Sequence, residues 1–184
     1  KKVHNVLVYL ENDLQINIEH HSNYDVDFIP GKKLSTMLEN SLLVKDRFGA
    51  ITAFSLWGKF ISQKCNLVSS IGTMWENFDD YLVQGDTFDL GPHNIIVRGS
   101  SVYGIDDEWR ALTPIPLSWY IARNSQACAN TFSRPELVDF NVFIQQMYRI
   151  LGLKLNTLFV EKSLSFEEKF QETLITAARR TVAI

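Results

Sequence analysis

The chain has 184 residues, 46% hydrophobic and 21% charged, with a net charge of −3 from 18 basic and 21 acidic residues. This is ordinary globular composition, enough for one domain with a real core and too short for two comfortable ones. The near-balance of charge leaves no strong field for nucleic acid or an anionic membrane, and no apolar run reaches the roughly 20 residues of a spanning helix.

Residues 3–8 and 14–19 are β-prone runs around the turn-forming Glu11-Asn12-Asp13, which predicts a hairpin. Residues 26–29 predict a third strand, stopped by Pro30-Gly31. Residues 33–43 suit a short helix with Leu34, Met37, Leu38 and Leu42 on one side. Within residues 50–63, Phe54, Trp57 and Ile61 recur at spacings of three and four, one apolar helical face. Thr73-Met74-Trp75-Glu76 has the capping-box pattern and predicts a helix running through Val83.

Thr113-Pro114-Ile115-Pro116 is a rigid link that cannot lie inside a helix, and residues 117–125 predict a helix after it. Ser133-Arg134-Pro135-Glu136 is a second capping box. It predicts a long helix to Leu151, with Leu137, Phe140, Ile144, Met147, Tyr148 and Leu151 as its face and Gly152 as its stop. Ser165-Phe166-Glu167-Glu168 starts the last predicted helix, striped by Phe166, Phe170, Leu174 and Ala177. The expected fold class is α+β, mostly helical, with a little β at the start and one β-hairpin set into the helical body.

That hairpin carries the chemistry. Ile95, Ile96 and Val97 precede the turn Gly99-Ser100-Ser101, and Val102, Tyr103 and Ile105 follow it. Asp89 and Asn94 stand before the first strand; Asp106, Asp107 and Glu108 stand after the second. A chain that doubles back brings these polar groups to one end. The plain alternative is a polar loop capping its own backbone, with Asp106 and Asp107 paired to Arg98, Arg110 or Arg123. Elsewhere the bland readings lead. His93 reads as a solvated loop residue. His20-His21 alternate across a strand and do not share a metal. Trp109 and Trp119 suit core packing ahead of a sugar-stacking platform. Arg179-Arg180 place favourable charge at a helix end. Cys65 and Cys128 are isolated, with no metal or redox spacing, which fits a reducing, cytoplasmic setting. With no signal peptide and no initiator methionine, the chain is expected to begin inside a longer protein or to have been processed.

Asp89-Leu90-Gly91-Pro92-His93-Asn94 resembles the catalytic loop of kinase-like phosphotransferases such as the aminoglycoside phosphotransferases. Ile105-Asp106, with Asp106 twelve positions after Asn94, resembles their metal-binding strand end, and Phe28-Ile29-Pro30-Gly31-Lys32-Lys33-Leu34 looks like their hinge. More narrowly, Ile105-Asp106-Asp107-Glu108-Trp109, Ile115-Pro116-Leu117, residues 119–123 and the Phe166-Glu167-Glu168-Lys169-Phe170 helix resemble a C-terminal region of bacterial surface-polysaccharide biosynthesis proteins. Such proteins often carry a class I S-adenosylmethionine-dependent methyltransferase or a glycosyltransferase domain ahead of it. The resemblance covers roughly residues 26–184.

The resemblance implies a protein-kinase-like C-lobe over residues 33–184 and a short β region with a hinge-like end over residues 1–32, a single domain forming the C-terminal part of a longer protein. It implies Asp89 as catalytic base and Asn94 and Asp106 as ligands of Mg²⁺ on the phosphates of ATP. It further implies a transferase-associated module, or a degenerate kinase, that binds nucleotide or glycan, with S-adenosylmethionine used only by a domain upstream. An active glycan or small-molecule kinase fragment and a non-catalytic scaffold are the alternatives. The sequence departs from the pattern in three places. Thr87-Phe88 precedes Asp89 in place of His-Gly or His-Arg, Asp107-Glu108 follows Asp106 in place of an aromatic and a glycine, and no glycine-rich phosphate loop or methyltransferase glycine motif is present.

Overall fold

The computed structural model describes residues 3–9, 15–21, 28–69, 80–84, 88–105, 109–156 and 158–182. It is a mixed helix-and-strand fold with five α-helices and three small sheets among the described residues. Strands β1 (Val3–Tyr9) and β2 (Gln15–His21) pair antiparallel, as the turn residues between them predict. The third strand of their sheet is β8 (Trp109–Ala111), which aligns Glu19 with Arg110.

The strand predicted over 26–29 is not formed by its described residues. Instead β3 (Lys32–Lys33) follows Pro30-Gly31 and lies along β6 (Ile95–Arg98), which pairs in turn with β7 (Ser101–Gly104). A Cβ on Gly31 would meet Ile96 Cγ2 at 2.4 Å and Val97 O at 2.6 Å. Glycine is what lets the chain approach this hairpin closely.

Helix α1 (Leu34–Leu43) and helix α2 (Arg47–Lys64) follow. The second starts three residues earlier than its apolar stripe predicts, because the Asp46 carboxylate accepts from the N–H groups of Phe48 and Gly49. Phe54, Trp57 and Ile61 are buried as the stripe predicts. Burying side chains of this size contributes about 1.5–3 kcal/mol each.

The helix predicted through Val83 does not extend that far. Its capping box lies outside the described residues, and Val83 sits in strand β5 (Tyr81–Gln84), between β4 (Asn66–Ser69) and β9 (Ile115–Pro116). Cross-strand pairing decides the conformation here over a local capping signal. Asp80, just ahead of β5, is buried and anchors the sheet to the helices. Its carboxylate accepts from Tyr81 N–H at 2.7 Å, Ser118 N–H at 2.9 Å, Ser118 Oγ at 2.6 Å and the Tyr148 hydroxyl. Ser163 Oγ donates to Ser118 Oγ at 2.7 Å and extends the network. Burial pushes the Asp80 carboxyl above its ordinary value, although all four hydrogen bonds pull the other way.

Helix α3 (Leu117–Ala129) is the centre of the molecule: residues 117–125 are all buried. Two of its polar side chains bond back to the helix's own backbone, Asn124 Nδ2 donating to Tyr120 O at 2.9 Å and Ser125 Oγ to Ile121 O at 2.7 Å. Trp119 is wholly enclosed, which removes the sugar-platform reading for it.

The second capping box opens no helix. Residues Pro135–Leu137 make a short 3-10 turn, and helix α4 (Phe140–Ile150) begins only after Asp139, whose carboxylate accepts from Val142 N–H. Ser133 donates both its N–H and its hydroxyl to Glu39 Oε1 at 2.6 Å, so the N–H that Glu136 would cap is taken, and Glu136 accepts from Arg134 at 2.7 Å instead. Gly152, at φ +68°, ends this segment as predicted. Helix α5 (Leu158–Val182) starts seven residues before the predicted Ser165, with Asn156 Oδ1 accepting from Leu158 N–H. Among the described residues no helix is long and apolar enough to cross a membrane.

Candidate functional site

The 88–94 loop is fastened to α3 from below. Phe88 lies edge-on to Trp119 and Phe170, with ring centroids 5.5 and 5.4 Å away. Its N–H donates to Trp109 O at 3.1 Å. Tyr120 Oη donates to Leu90 O at 3.0 Å, and Asn124 Nδ2 reaches Phe88 O at 3.3 Å. Gly91 sits so close to α3 that a Cβ there would meet Asn124 Cβ at 2.8 Å and Asn124 O at 2.9 Å. The loop then makes a 3-10 turn over Pro92–Asn94 and feeds directly into β6.

Two bonds close this loop on the hairpin. Asn94 Nδ2 donates to Asp89 O at 2.9 Å, and Ile105 N–H donates to Asn94 O at 2.8 Å. The second places the far end of β7 beside Asn94, as a chain doubling back should. Asp106, Asp107 and Glu108 lie outside the described residues. The expected convergence of Asp89, Asn94 and Asp106 is therefore visible as Asp89 and Asn94 together, with the residue before Asp106 alongside. The turn is tighter than the sequence suggests: Gly99, at φ +59°, and Ser100 make it, and Ser101 already pairs with Arg98.

Asp89 is the half-open member of an otherwise buried group. Its Oδ1 lies 3.8 Å from Arg123 Nη2 and 3.9 Å from His93 Nε2, and its side chain is 20% exposed. Both distances allow electrostatic attraction but are too long for hydrogen bonds, and Oδ1 has no hydrogen-bond partner. Asn94 Oδ1 likewise accepts none from the described residues.

Arg123 is committed elsewhere. Its Nη1 donates to Glu167 Oε1 at 3.0 Å, and its guanidinium lies over the rings of Phe88 and Phe170 at 4.5 and 4.7 Å. Glu167 is saturated in turn by Trp119 Nε1 at 2.9 Å and Gln171 Nε2 at 2.6 Å. Arg123 and Glu167 cancel formally, which leaves the Asp89 charge only partly answered. His93 is buried beside it. Burial holds the imidazole below its ordinary value; Asp89 pulls it up, and Arg123 and Lys33 push it further down.

Of the arginines expected to face Asp106 and Asp107, Arg98 is exposed on the hairpin and Arg110 lies on β8. Arg123 faces Asp89. Sequence reasoning missed Glu167, Tyr120 and Asn124 as members of this site, and Asp80, Ser118 and Tyr148 as a second polar centre. One signal was available: Arg123 follows the apolar run Trp119-Tyr120-Ile121-Ala122, and an arginine drawn into a core by such neighbours needs a partner. His93, expected to be solvated, is buried.

Asp89 Oδ1 is buried without a hydrogen bond while the side chain keeps a partly exposed edge, and a carboxylate exposed at its edge can accept a hydroxyl proton or hold a cation. Among the described residues no group of three His, Cys, Asp or Glu side chains is placed to bind a metal ion. Both cysteines are buried, and burial pushes the Cys128 thiol up to about 12, so it is no nucleophile at neutral pH.

The fold and the loop together define a helix-and-strand protein with a carboxylate loop set between a helical core and a β-hairpin. No protein-family model, curated protein or solved structure matches the chain.

Proposed function

We propose that the 88–94 loop and the β6–β7 hairpin form a kinase-like site for a hydroxyl and a phosphate-bound cation, in the C-terminal module of a bacterial surface-glycan biosynthesis transferase. The observation that carries this reading is the Asp89 carboxylate: rigidly mounted, partly exposed, and with Oδ1 free of any hydrogen bond although Arg123 stands 3.8 Å away. Unsatisfied buried acceptors are uncommon and call for a reason, and an arriving hydroxyl donor supplies one. Asn94 would offer a hard oxygen ligand, since its Nδ2 is already used on Asp89 O, and Asp106 would offer another. Mg²⁺ held there would neutralise charge on nucleotide phosphates. Asp89 would orient the acceptor hydroxyl and take its proton, while Arg123, tied to Glu167, tempers the carboxylate without closing it off. The family resemblance supports the glycan-transferase setting and a methyltransferase or glycosyltransferase domain upstream.

The second reading is a non-catalytic scaffold. It is favoured by the Asn94–Asp89 backbone bond, which is what a self-capping loop would make.

Thermal melting with Mg-ATP separates the two. A site occupied at 100 times its Kd gains about 2.7 kcal/mol, a shift of several degrees. The reading requires such a shift in the native protein, its loss in Asn94→Ala and Asp106→Ala, and an apo melting point for Asp89→Asn close to native. Absence of any shift with Mg-ATP, or an Asp89→Asn variant that melts far below native, assigns the loop to the scaffold. Phosphate release or transfer from ATP distinguishes an active kinase from one that only binds.

A further inference from the structure

The turn between α1 and α2 exposes six consecutive residues, 43–48. Val44 is 75% and Phe48 85% exposed, and Ile51, three residues along α2 from Phe48, is also exposed. Large apolar side chains gathered this way mark a contact surface more often than chance exposure. The turn is held firmly. Lys45 has a left-handed φ of 55°, unfavourable for a residue with a side chain. It is kept there by Val44 N–H to Asn40 O at 3.2 Å, Lys45 N–H to Leu42 O at 3.2 Å and Asp46 N–H to Ser41 O at 2.8 Å.

Those bonds also decide what the surface can bind. The amides of Val44, Lys45 and Asp46 are spent, and Asp46 Oδ1 accepts from the Phe48 and Gly49 N–H groups at 3.1 Å. What the elbow offers outward is an apolar tip with Lys45 and Arg47 on either side of an acid partly engaged by its own helix. These three are the only charged residues between Asn40 and Thr52, so the elbow is locally positive on a chain whose net charge is −3. An apolar tip flanked by two cations matches the headgroup–acyl boundary of an anionic bilayer.

We propose that the α1–α2 elbow is a membrane-docking tip: Val44, Phe48 and Ile51 enter the boundary layer, and Lys45 and Arg47 pair with lipid phosphates. The contact is peripheral and independent of the Asp89 site.

Sedimentation with lipid vesicles tests it. The native chain pellets with phosphatidylcholine vesicles carrying about one-quarter phosphatidylserine, more weakly with phosphatidylcholine alone, and less as salt rises. Val44→Ser/Phe48→Ser lowers the partition coefficient about tenfold or more. Lys45→Glu/Arg47→Glu removes the preference for phosphatidylserine. All four side chains are exposed, so circular dichroism and melting point stay native and a loss of binding is not a loss of fold. The proposal is overturned if the native chain stays in the supernatant with the anionic vesicles, or if Val44→Ser/Phe48→Ser binds as well as native. It is also overturned if light scattering finds a dimer that this variant dissolves while vesicles bind neither form, which assigns the elbow to a second copy of the chain.

Discussion

Arg123 donates its 3.0 Å hydrogen bond to Glu167 across the contact of α3 with α5, and both side chains are almost completely buried. The arrangement keeps a guanidinium beside Asp89 without letting it close on the carboxylate. A buried ion pair adds little stability over an apolar pair of the same shape, but breaking one side of it is costly.

Glu167→Gln should therefore destabilise the protein by about 3 kcal/mol, because Arg123 stays buried without its counter-charge. Arg123→Met together with Glu167→Gln should recover part of the loss, with a coupling energy of about 1–3 kcal/mol in a denaturant-melt cycle. Additive single effects would mean that the two side chains do not act as a pair. In Glu167→Gln the guanidinium is free to turn to Asp89, so any Mg-ATP response should weaken as well.

The Asp80 network makes a sharper stability prediction. Tyr148→Phe removes one donor to the Asp80 carboxylate and should cost about 1–2 kcal/mol. Asp80→Ala strands the Ser118 amide at the start of α3, the Tyr81 amide and two hydroxyls at once, and should cost about 3 kcal/mol or more. If equilibrium urea melts find the two variants equally stable, the carboxylate is not the organiser of this junction.

His93 sets a pH dependence. Burial depresses its pKa below the ordinary 6.5, with Asp89 opposing and Arg123 and Lys33 assisting. The native state then binds fewer protons than the unfolded state between the two values. The stability that His93 contributes is present above 6.5 and is lost as pH falls through the depressed native value. The slope is at most about 1.4 kcal/mol per pH unit. Urea melts of native and His93→Gln chains should diverge below pH 6.5, the native chain losing more. Parallel curves would place His93 in solvent-like surroundings.

Much of the fold was legible in local pattern. The stripe of Phe54, Trp57 and Ile61, the pairing of the first two strands and the Gly152 stop each express a rule that acts within a few residues, and each appears where expected. The capping box at Ser133 was the failure. Ser133 and Glu136 have the right identities and spacing, yet each side chain has a better partner in the folded chain, Glu39 for one and Arg134 for the other. A capping box needs the Ser133 N–H for Glu136, and Glu39 accepts it first.

The candidate site divides along the same line. The amino-acid sequence by itself determined that Asp89 and Asn94 precede an apolar hairpin and that the hairpin's two ends meet, because strand alternation and a glycine turn require the chain to double back. Only the tertiary structure decided what surrounds them. Arg123 comes from α3 and Glu167 from α5, 44 positions apart in the chain, and His93 is buried by packing that no local pattern encodes. Whether a carboxylate is quenched or left open depends on ångström differences between groups that the sequence does not juxtapose. Here Arg123 bonds Glu167 at 3.0 Å and stops 3.8 Å from Asp89, and that difference leaves Asp89 Oδ1 without a hydrogen bond.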